Sequence, residues 1–244
     1  MIAAGRVAGL VALFLVCAPL HFASKFILRR SAWPPRFLGA AAWICGARVR
    51  VSGTPAAPHS LLLANHISWL DILVLGGATG SAFVAKDDLG HPLVHWLADL
   101  NNTVYVRREQ RRAAKDQAVA IAAALACEQP VTVFPEGAVG PGDHLLPFHS
   151  TLLEAGALAG RDVVIRPVAL DYGKLAEEIS WFGESGKDNV LRVLGRRGTI
   201  PVAVTLLDPL APGDRKQLAR QAREAIGASL GFKSDAHSPI APAQ

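Results

Sequence analysis

The chain has 244 residues, a formal net charge of +5 and a hydrophobic content of 51%. This length is enough for one domain with a sizeable core. The three cysteines, Cys17, Cys45 and Cys127, are odd in number and form no CxxC pair. They argue against a disulfide framework and a cysteine-based zinc site, and they favour a reduced, cytosol-facing environment.

Positive charge is concentrated at the N-terminal end of the chain. No aspartate or glutamate precedes Asp71, whereas the same stretch carries seven basic residues: Arg6, Lys25, Arg29, Arg30, Arg36, Arg48 and Arg50. A basic residue near an anionic bilayer contributes about 1 kcal/mol to membrane binding. Because these residues are interleaved with long apolar runs and match no nucleic-acid motif, we predict membrane lipids, and no nucleic acid, as partners.

Two apolar stretches open the chain, at residues 2–20 and 37–47, with basic residues and Pro34-Pro35 between them. They predict a helical pair over residues 1–47 that anchors the protein to the membrane, on the cytoplasmic face of the inner membrane. A spanning helix needs about 20 apolar residues, so spanning and interfacial placements both stay open. The alternatives are a secretory signal, as in a secreted hydrolase, and helices that only cover a core.

Strands and helices alternate from residue 48 to residue 232. This alternation predicts one α/β domain with a mixed, largely parallel sheet flanked by helices. Residues 233–244 are predicted to form a disordered tail. Strands are predicted at residues 48–51, 61–64, 82–85, 103–106, 131–134, 163–170 and 200–207, and helices at 69–76, 92–98, 109–126, 151–159 and 214–230.

His66 and Asp71 are the first candidates for chemistry. Histidine can take a proton near neutral pH, and a carboxylate on its other nitrogen fixes the tautomer and stabilises the imidazolium. Residues five apart on one helix lie about 140° apart. The pair can therefore meet only if His66 precedes a helix that contains Asp71, a context that the turn former Asn65 and the potential N-cap Ser68 favour. The alternative is an ordinary turn with an incidental histidine.

A second candidate is the FPEG segment at residues 134–137, which follows a predicted buried strand. Ligands bind beyond the carboxyl ends of strands in α/β sheets, and glycine allows backbone amides to approach an anion. Arg108 follows another strand and could bind phosphate. A plain turn and a solvated basic face are the alternatives. His91 and His95 have a zinc-compatible spacing but lack the glutamate of a metalloprotease motif, so no metal site is predicted.

Together these segments resemble the lysophosphatidate acyltransferase family of glycerolipid acyltransferases. That family has an NHxSxxD block, a G-x-I/V-F/Y-V-x-R block, FPEG and a V-I-P-V block. The chain has NHISWLD at residues 65–71, NTVYVRR at 102–108, FPEG at 134–137 and VIRPVAL at 164–170. The resemblance covers roughly residues 60–170, and the four blocks in this order are far more specific than any one of them.

The resemblance implies an enzyme that transfers a fatty acyl chain from acyl-CoA or acyl-carrier protein to 1-acyl-sn-glycerol-3-phosphate, giving phosphatidate. It implies no cofactor beyond this acyl donor. His66 would deprotonate the acceptor hydroxyl, and Asp71 would orient His66. The substrate-binding positions that the resemblance implies are Asn65, Ser68, Lys86, Arg108, Phe134, Pro135, Glu136 and Gly137.

The chain departs from the family pattern in two places. Asn102 replaces the usual glycine of the second block, and residues 138–140 (AVG) replace Thr-Arg-Ser after FPEG. Residues 134–155 look similar to bacterial members that acylate lyso-ornithine lipid, an acceptor without phosphate. Acylation of another lysolipid of this kind is therefore an alternative, and a non-catalytic lipid-binding protein with the same fold is a further one.

Overall fold

The computed structural model describes residues 1–86, 92–106, 113–153 and 163–232. Seven strands form one sheet in the order β1-β7-β6-β2-β5-β3-β4, in which β6 and β7 pair antiparallel and all other neighbours are parallel. The predicted mixed, largely parallel sheet is confirmed. The strands are β1 (Ala47–Gly53), β2 (Ser60–Ala64), β3 (Ala82–Lys86), β4 (Val104–Val106), β5 (Val131–Val133), β6 (Val164–Asp171) and β7 (Ile200–Leu206).

Eight α-helices surround the sheet within the described ranges, together with 3-10 turns at Thr151–Leu153 and Gly173–Leu175. Two helices, α6 and α7, were missed by the sequence pattern. Helix α6 has 4 residues, and α7 begins and ends at a glycine. The helices are α1 (Ile2–Leu28), α2 (Trp33–Ile44), α3 (Leu70–Thr79), α4 (Pro92–Asp99), α5 (Ala113–Leu125), α6 (Ala176–Ile179), α7 (Gly186–Gly195) and α8 (Arg215–Leu230).

Helix α1 is longer than predicted, since it continues beyond residue 20 to Leu28 and includes Lys25. By length and composition it could cross a membrane, and it is the one helix of the described chain that passes this test. Many of its large apolar side chains are exposed: Val7, Val11, Leu15, Val16, Phe22, Phe26, Ile27 and Leu28. This exposed apolar surface is consistent with membrane contact.

Helix α2 differs from α1 because it packs into the domain. Pro34 and Pro35 lie in its first turn, where a missing N–H costs nothing, so they begin this helix instead of separating two helices. Its Gly39 lies so close to Gly77 of α3 that a Cβ on Gly77 would stand 2.4 Å from the Gly39 Cα. Helix α2 thus covers the core, and the predicted membrane anchoring by the helical pair stays a prediction.

The core has two layers, one on each face of the sheet. In β2, Leu61 and Leu63 face the layer under α5 and α8, whereas Leu62 and Ala64 face the layer under α2 and α3. All four are fully buried, as expected of a central strand covered on both faces. This strand therefore fixes the position of the residue that follows it, Asn65.

Some predictions fall on residues that the structure does not describe. These are Arg108, His91, the start of the helix predicted at residues 109–126, most of the helix predicted at 151–159 and the tail at 233–244. Of the 151–159 helix, the structure describes one 3-10 turn, Thr151–Leu153.

Candidate active site

His66 and Asp71 are in contact where β2 leads into α3. His66 lies in the non-helical segment after β2, and Asp71 lies in the first turn of α3. The Nδ1 atom of His66 is 2.8 Å from Oδ2 of Asp71. Two residues five apart on one helix would face different directions, so the side chains meet because His66 precedes the helix that contains Asp71.

The Asp71 carboxylate is fully buried and accepts hydrogen bonds from four donors. Its Oδ2 accepts from His66, from the Ile67 N–H at 2.7 Å and from the Ser68 N–H at 2.9 Å. Its Oδ1 accepts from the Tyr172 hydroxyl at 2.6 Å. Donors to both oxygens, and a position in the first turn of a helix, stabilise the ionised carboxylate.

Tyr172 was not predicted from the sequence. It follows β6, a neighbour of β2 in the sheet, and its side chain is 1% exposed. Burial, together with the adjacent Asp71 charge, raises the pKa of Tyr172 well above its usual value, so the phenol keeps the proton that it donates. A tyrosine two residues after the fourth sequence block was the available signal, but it indicates nothing until β6 is placed beside β2.

Glu136 holds the backbone of His66. Its Oε1 accepts the His66 N–H at 2.8 Å and its Oε2 accepts the Leu146 N–H at 2.9 Å. The N–H of Gly140 donates to the carbonyl of His66 at 2.7 Å. Burial raises the pKa of Glu136 to about 7, against the lowering effect of its two backbone hydrogen bonds. The FPEG segment therefore fixes the position of His66 through the main chain.

Gly140 belongs to the AVG sequence that departs from the family pattern. A Cβ at this residue would stand 3.0 Å from the Glu136 carboxylate and 3.5 Å from the His66 carbonyl oxygen. The absent side chain allows the main chain of this loop to approach both groups.

An aromatic stack supports the imidazole. The rings of His66 and Phe134 are stacked with centroids 4.0 Å apart, and Phe83 is stacked against Phe134 at 6.1 Å. The His66 side chain keeps 18% of its surface exposed. The stack and the Asp71 contact leave Nε2 as the nitrogen of the imidazole that can meet a substrate.

Asn65 and Ser68 are turned into the protein. The Asn65 amide donates to the Leu170 carbonyl at 3.0 Å and accepts the Leu170 N–H at 2.8 Å, which ties β2 to β6. Ser68 is fully buried, and its hydroxyl accepts the Leu70 N–H. The predicted N-cap at Ser68 is wrong by one residue, since the N-cap of α3 is Trp69. In this structure both side chains bond to the backbone, and their predicted contact with a substrate stays a prediction.

Three more of the predicted residues, Lys86, Pro135 and Gly137, lie at the same edge of the sheet. Lys86 is the last residue of β3, and the Pro135 carbonyl accepts the His149 N–H at 2.8 Å. Gly137 has a φ of 71°, a conformation that glycine adopts without strain. Arg108 lies outside the described residues, so the contact between this arginine and a substrate stays a prediction.

An apolar cavity of about 320 Å³ opens beside this centre. Helices α1, α2, α3 and α4 enclose it, and its wall includes Phe83, which is also part of the stack on His66. Trp69 and Ile72, from the segment that carries Asp71, line it too. A cavity of this size and character suits a hydrocarbon chain.

Comparison with known proteins decides the family. The acyltransferase family model matches residues 48–171, which is half of the chain and includes all four sequence blocks. The chain belongs to the acyltransferase family. The resemblance inferred from the four blocks is confirmed, and the protein is an acyltransferase enzyme of lipid metabolism.

Curated relatives of this acyltransferase include enzymes with two kinds of named acceptor. The lyso-ornithine lipid O-acyltransferase of Rhizobium meliloti (strain 1021) is 34% identical over 232 residues, covering 86% of this chain and 80% of the relative. The 1-acyl-sn-glycerol-3-phosphate acyltransferase of Neisseria meningitidis serogroup B is 32% identical over 193 residues, covering 75% of each chain.

A solved structure has the same fold as this acyltransferase. The 1-acyl-sn-glycerophosphate (LPA) acyltransferase PlsC from Thermotoga maritima superposes with a TM-score of 0.65 over 93% of this chain and 96% of the other. The two sequences are 20% identical, so this likeness shows the fold alone.

Proposed function

We propose that the enzyme transfers a fatty acyl chain from acyl-CoA or acyl-carrier protein to the free hydroxyl of a lysolipid, with His66 as the general base. The contact between His66 and the buried, four-fold hydrogen-bonded Asp71 carries this proposal. A fixed carboxylate on Nδ1 leaves Nε2 able to take a proton and stabilises the imidazolium that forms.

The reaction needs no covalent enzyme intermediate. As Nε2 of His66 takes the hydroxyl proton, the acceptor oxygen attacks the thioester carbonyl carbon and a C–O bond forms. The C–S bond then breaks, and the departing thiolate takes the proton back from His66. Glu136 and Gly140 hold the His66 backbone during both steps and are positioning residues, as Tyr172 is for Asp71.

The apolar cavity would hold an acyl chain of a substrate. Its wall reaches the His66 stack through Phe83, so a chain lying in it can place its carbonyl or hydroxyl end near His66. Burial of a methylene group contributes about 0.8 kcal/mol, so the cavity supplies binding energy far from the reacting atoms.

We infer that lyso-ornithine lipid is the acceptor that the observations favour. The relatives with that name match up to 94% of this chain at 31–34% identity, and Gly140 replaces a polar residue in the loop after FPEG. The phosphate-bearing acceptor 1-acyl-sn-glycerol-3-phosphate is the second candidate. It is supported by the relatives from two Neisseria species and by Lys86 at the end of β3.

We also propose that α1 lies against the domain with its exposed apolar side in the bilayer, at the cytoplasmic face. Protein contacts occur near both ends of the helix. Arg6 donates to the carbonyls of Val193 and Leu194, and Ser24 accepts a hydrogen bond from the indole of Trp33. Such contacts are those of an interfacial helix that also forms one wall of the cavity.

Replacement of His66 by alanine tests the reaction. We expect His66→Ala to abolish acyl transfer while the protein still folds and binds vesicles. The matched control is His144→Ala, because His144 forms a similar contact with Asp143 at 2.7 Å but is exposed. The assay identifies lipid products from a labelled donor and a panel of lysolipids. Turnover of His66→Ala close to that of the wild type contradicts the mechanism, and phosphatidate as the sole product contradicts the preferred acceptor.

A further inference from the structure

A segment beyond the four sequence blocks is bonded to the turn that carries His66 and Asp71. This 180–189 segment lies after the stretch 48–171 that the acyltransferase family model matches. It connects α6 to α7 and includes the first residues of α7. None of the site residues predicted from the sequence lies in it. Its contacts therefore add residues to the site that the sequence blocks do not contain.

Two hydrogen bonds join the 180–189 segment to the main chain around His66. The N–H of Trp181 donates to the carbonyl of Ile67 at 2.8 Å. The hydroxyl of Ser180 donates at 2.8 Å to the carbonyl of Gly140, the residue whose N–H bonds to the His66 carbonyl. The segment thus supports both the catalytic turn and the loop after FPEG.

A third hydrogen bond holds a side chain, the indole of Trp69. Its Nε1 donates to Oδ1 of Asn189 at 2.9 Å. Nδ2 of Asn189 donates to the carbonyls of Ile179 and Ser180, at 3.3 Å and 2.8 Å, and to the Glu184 carboxylate at 2.6 Å. An indole N–H can only donate, so this set of partners fixes the orientation of the amide. Asn189 is fully buried, and its loss would leave the indole N–H without this acceptor.

Trp69 links the catalytic turn to the apolar cavity. It is the N-cap residue of α3 and stands two residues before Asp71. It also lines the cavity, as Ile72 and Leu73 of the same helix do. The bond to Asn189 therefore fixes a cavity residue that lies next to the reacting groups.

We propose that Asn189 is a positioning residue that sets, through Trp69, the acyl chain length that the enzyme prefers. A cavity residue held in one position leaves space beside a chain that is too short and excludes part of a chain that is too long, and each methylene left outside loses binding. A site that can repack accepts several ligands. Loss of the Asn189 contact should therefore weaken the discrimination between chain lengths. The inference rests on the proposed acyl transfer.

Both substrates bring an acyl chain, so the experiment has two arms. In the first, decanoyl to octadecanoyl donors, as CoA and carrier-protein thioesters, are compared on one lysolipid. In the second, one hexadecanoyl donor is compared on lysolipids whose own chain has these lengths. Lyso-ornithine lipid and 1-acyl-sn-glycerol-3-phosphate both serve as acceptors, and the full chain is used in vesicles. The readout is the ratio of kcat/KM for the best and the poorest chain length.

The variants remove the two partners of the Trp69 bond one at a time and together. Asn189→Leu removes the acceptor, whereas Trp69→Phe removes the indole N–H and keeps an aromatic ring. The double variant completes the cycle. The control is Arg192→Met, which loses the bonds from Arg192 to the Ser180 carbonyl and the Glu184 carboxylate but keeps the bond between Trp69 and Asn189.

We expect the wild-type ratio to fall by about two- to tenfold in one arm in each single variant, which is the effect of one net hydrogen bond. The double variant should match the single variants, because both changes remove the same bond. The ratio in Arg192→Met should equal that of the wild type. A wild type that uses all lengths equally in both arms overturns the inference. So do an unchanged ratio in Asn189→Leu, losses that multiply in the double variant, and an equal fall in Arg192→Met.

Trp69→Phe decides the case in which Asn189→Leu fails to fold, as melting temperatures will show. Its ratio should still fall, and a ratio equal to that of the wild type overturns the inference. Transfer with one chain-length profile in the wild type and all variants leaves the proposed function intact. The absence of product from the wild type with every donor and acceptor contradicts the proposed function itself.

Discussion

The two parts of the site differ in their hydrogen bonding. Both oxygens of Asp71 are fully engaged by donors from His66, Ile67, Ser68 and Tyr172. The neighbouring cavity is lined mainly by aromatic and aliphatic side chains from four helices. A complete network keeps the reacting group rigid, whereas an apolar wall binds a hydrocarbon chain by burial, which has no fixed direction.

The two parts of the site also differ in the effect that a substitution would have. A change in the Asp71 network leaves a buried carboxylate with the wrong number of donors, which affects the chemistry for every substrate. A change in the cavity wall affects the choice of chain. The predictions below test the Asp71 network, its support through Glu136, and the attachment of α1, in order of decreasing effect.

Asp71→Asn should cause the largest loss. The amide cannot accept from all four donors and does not stabilise an imidazolium, so we expect kcat to fall by roughly 10³–10⁴-fold. Initial rates of lipid product formation measure the loss. The control is Asp143→Asn, on the exposed His144 pair, which should change the rate little. A loss below tenfold in Asp71→Asn would show that the charge on this side chain is dispensable.

Tyr172→Phe removes one donor from the same carboxylate. A hydrogen bond to a charged group contributes about 1.5–3 kcal/mol, so we expect a tenfold to hundredfold lower kcat. Initial rates of lipid product formation, measured at one pH with saturating substrates, give the loss in kcat.

Tyr105 is the other of the two tyrosines in the chain and supplies the control. Its hydroxyl donates to the Asp99 carboxylate, which is exposed and far from Asp71 in the sequence. Tyr105→Phe should keep a kcat close to that of the wild type. If both variants lose kcat equally, the Tyr172 hydroxyl has no specific effect on Asp71.

The raised pKa of Glu136 predicts that the unfolding free energy depends on pH. Its pKa is raised from 4.5 to about 7 by burial, so the folded protein binds more protons than the unfolded chain between these values. The Glu136 contribution to the unfolding free energy is therefore most favourable below pH 4.5 and is lost as the pH rises through about 7. The slope is at most about 1.4 kcal/mol per pH unit.

Glu136→Gln should remove this slope. Unfolding free energies of wild type and variant, measured at several values between about pH 5 and pH 8, give the difference directly. Exposed Glu128 provides the control, and Glu128→Gln should differ from the wild type by a constant amount. A Glu136→Gln difference that is also constant would mean that Glu136 is already ionised across this range.

Arg6→Met should have the smallest effect. The variant loses the hydrogen bonds from Arg6 to Val193, Leu194 and Gly198, which attach the start of α1 to the domain. A loss of about 1 kcal/mol would lower the melting temperature by about 2–4 °C. Exposed Arg50 is the control, and Arg50→Met should leave the melting temperature unchanged. An unchanged melting temperature for Arg6→Met would show that α1 is held against the domain by its apolar contacts alone.

Most of the fold could be predicted from local pattern. Every predicted strand is present, because runs of four to eight residues between turn residues have the length of strands and are too short for most helices. The sequence did not distinguish α1 from α2, which are both apolar. Only packing shows that Gly39 of α2 meets Gly77 of α3 and that α1 keeps an exposed apolar side.

The site was predictable where neighbours in sequence are neighbours in space. His66 and Asp71 lie five residues apart, and the turn between β2 and α3 brings them together. Glu136 was identified, but its contact with the His66 backbone depends on β5 lying next to β2. Asn65 and Ser68 were predicted as substrate contacts, and the structure adds that both are buried and bond to the main chain.

By itself, the sequence determined the family, the α/β class and the candidate base His66 with its carboxylate partner Asp71, because these depend on residue types at fixed local spacing. The order of the sheet decided the rest. It places β6 and β5 on either side of β2, so that Tyr172 reaches Asp71 and Glu136 reaches His66 from strands distant in the chain. It also lets α1 and α4 enclose a cavity with His21 and Asn101 in its wall. Contacts between residues so far apart in the sequence follow from strand order, which no local pattern specifies.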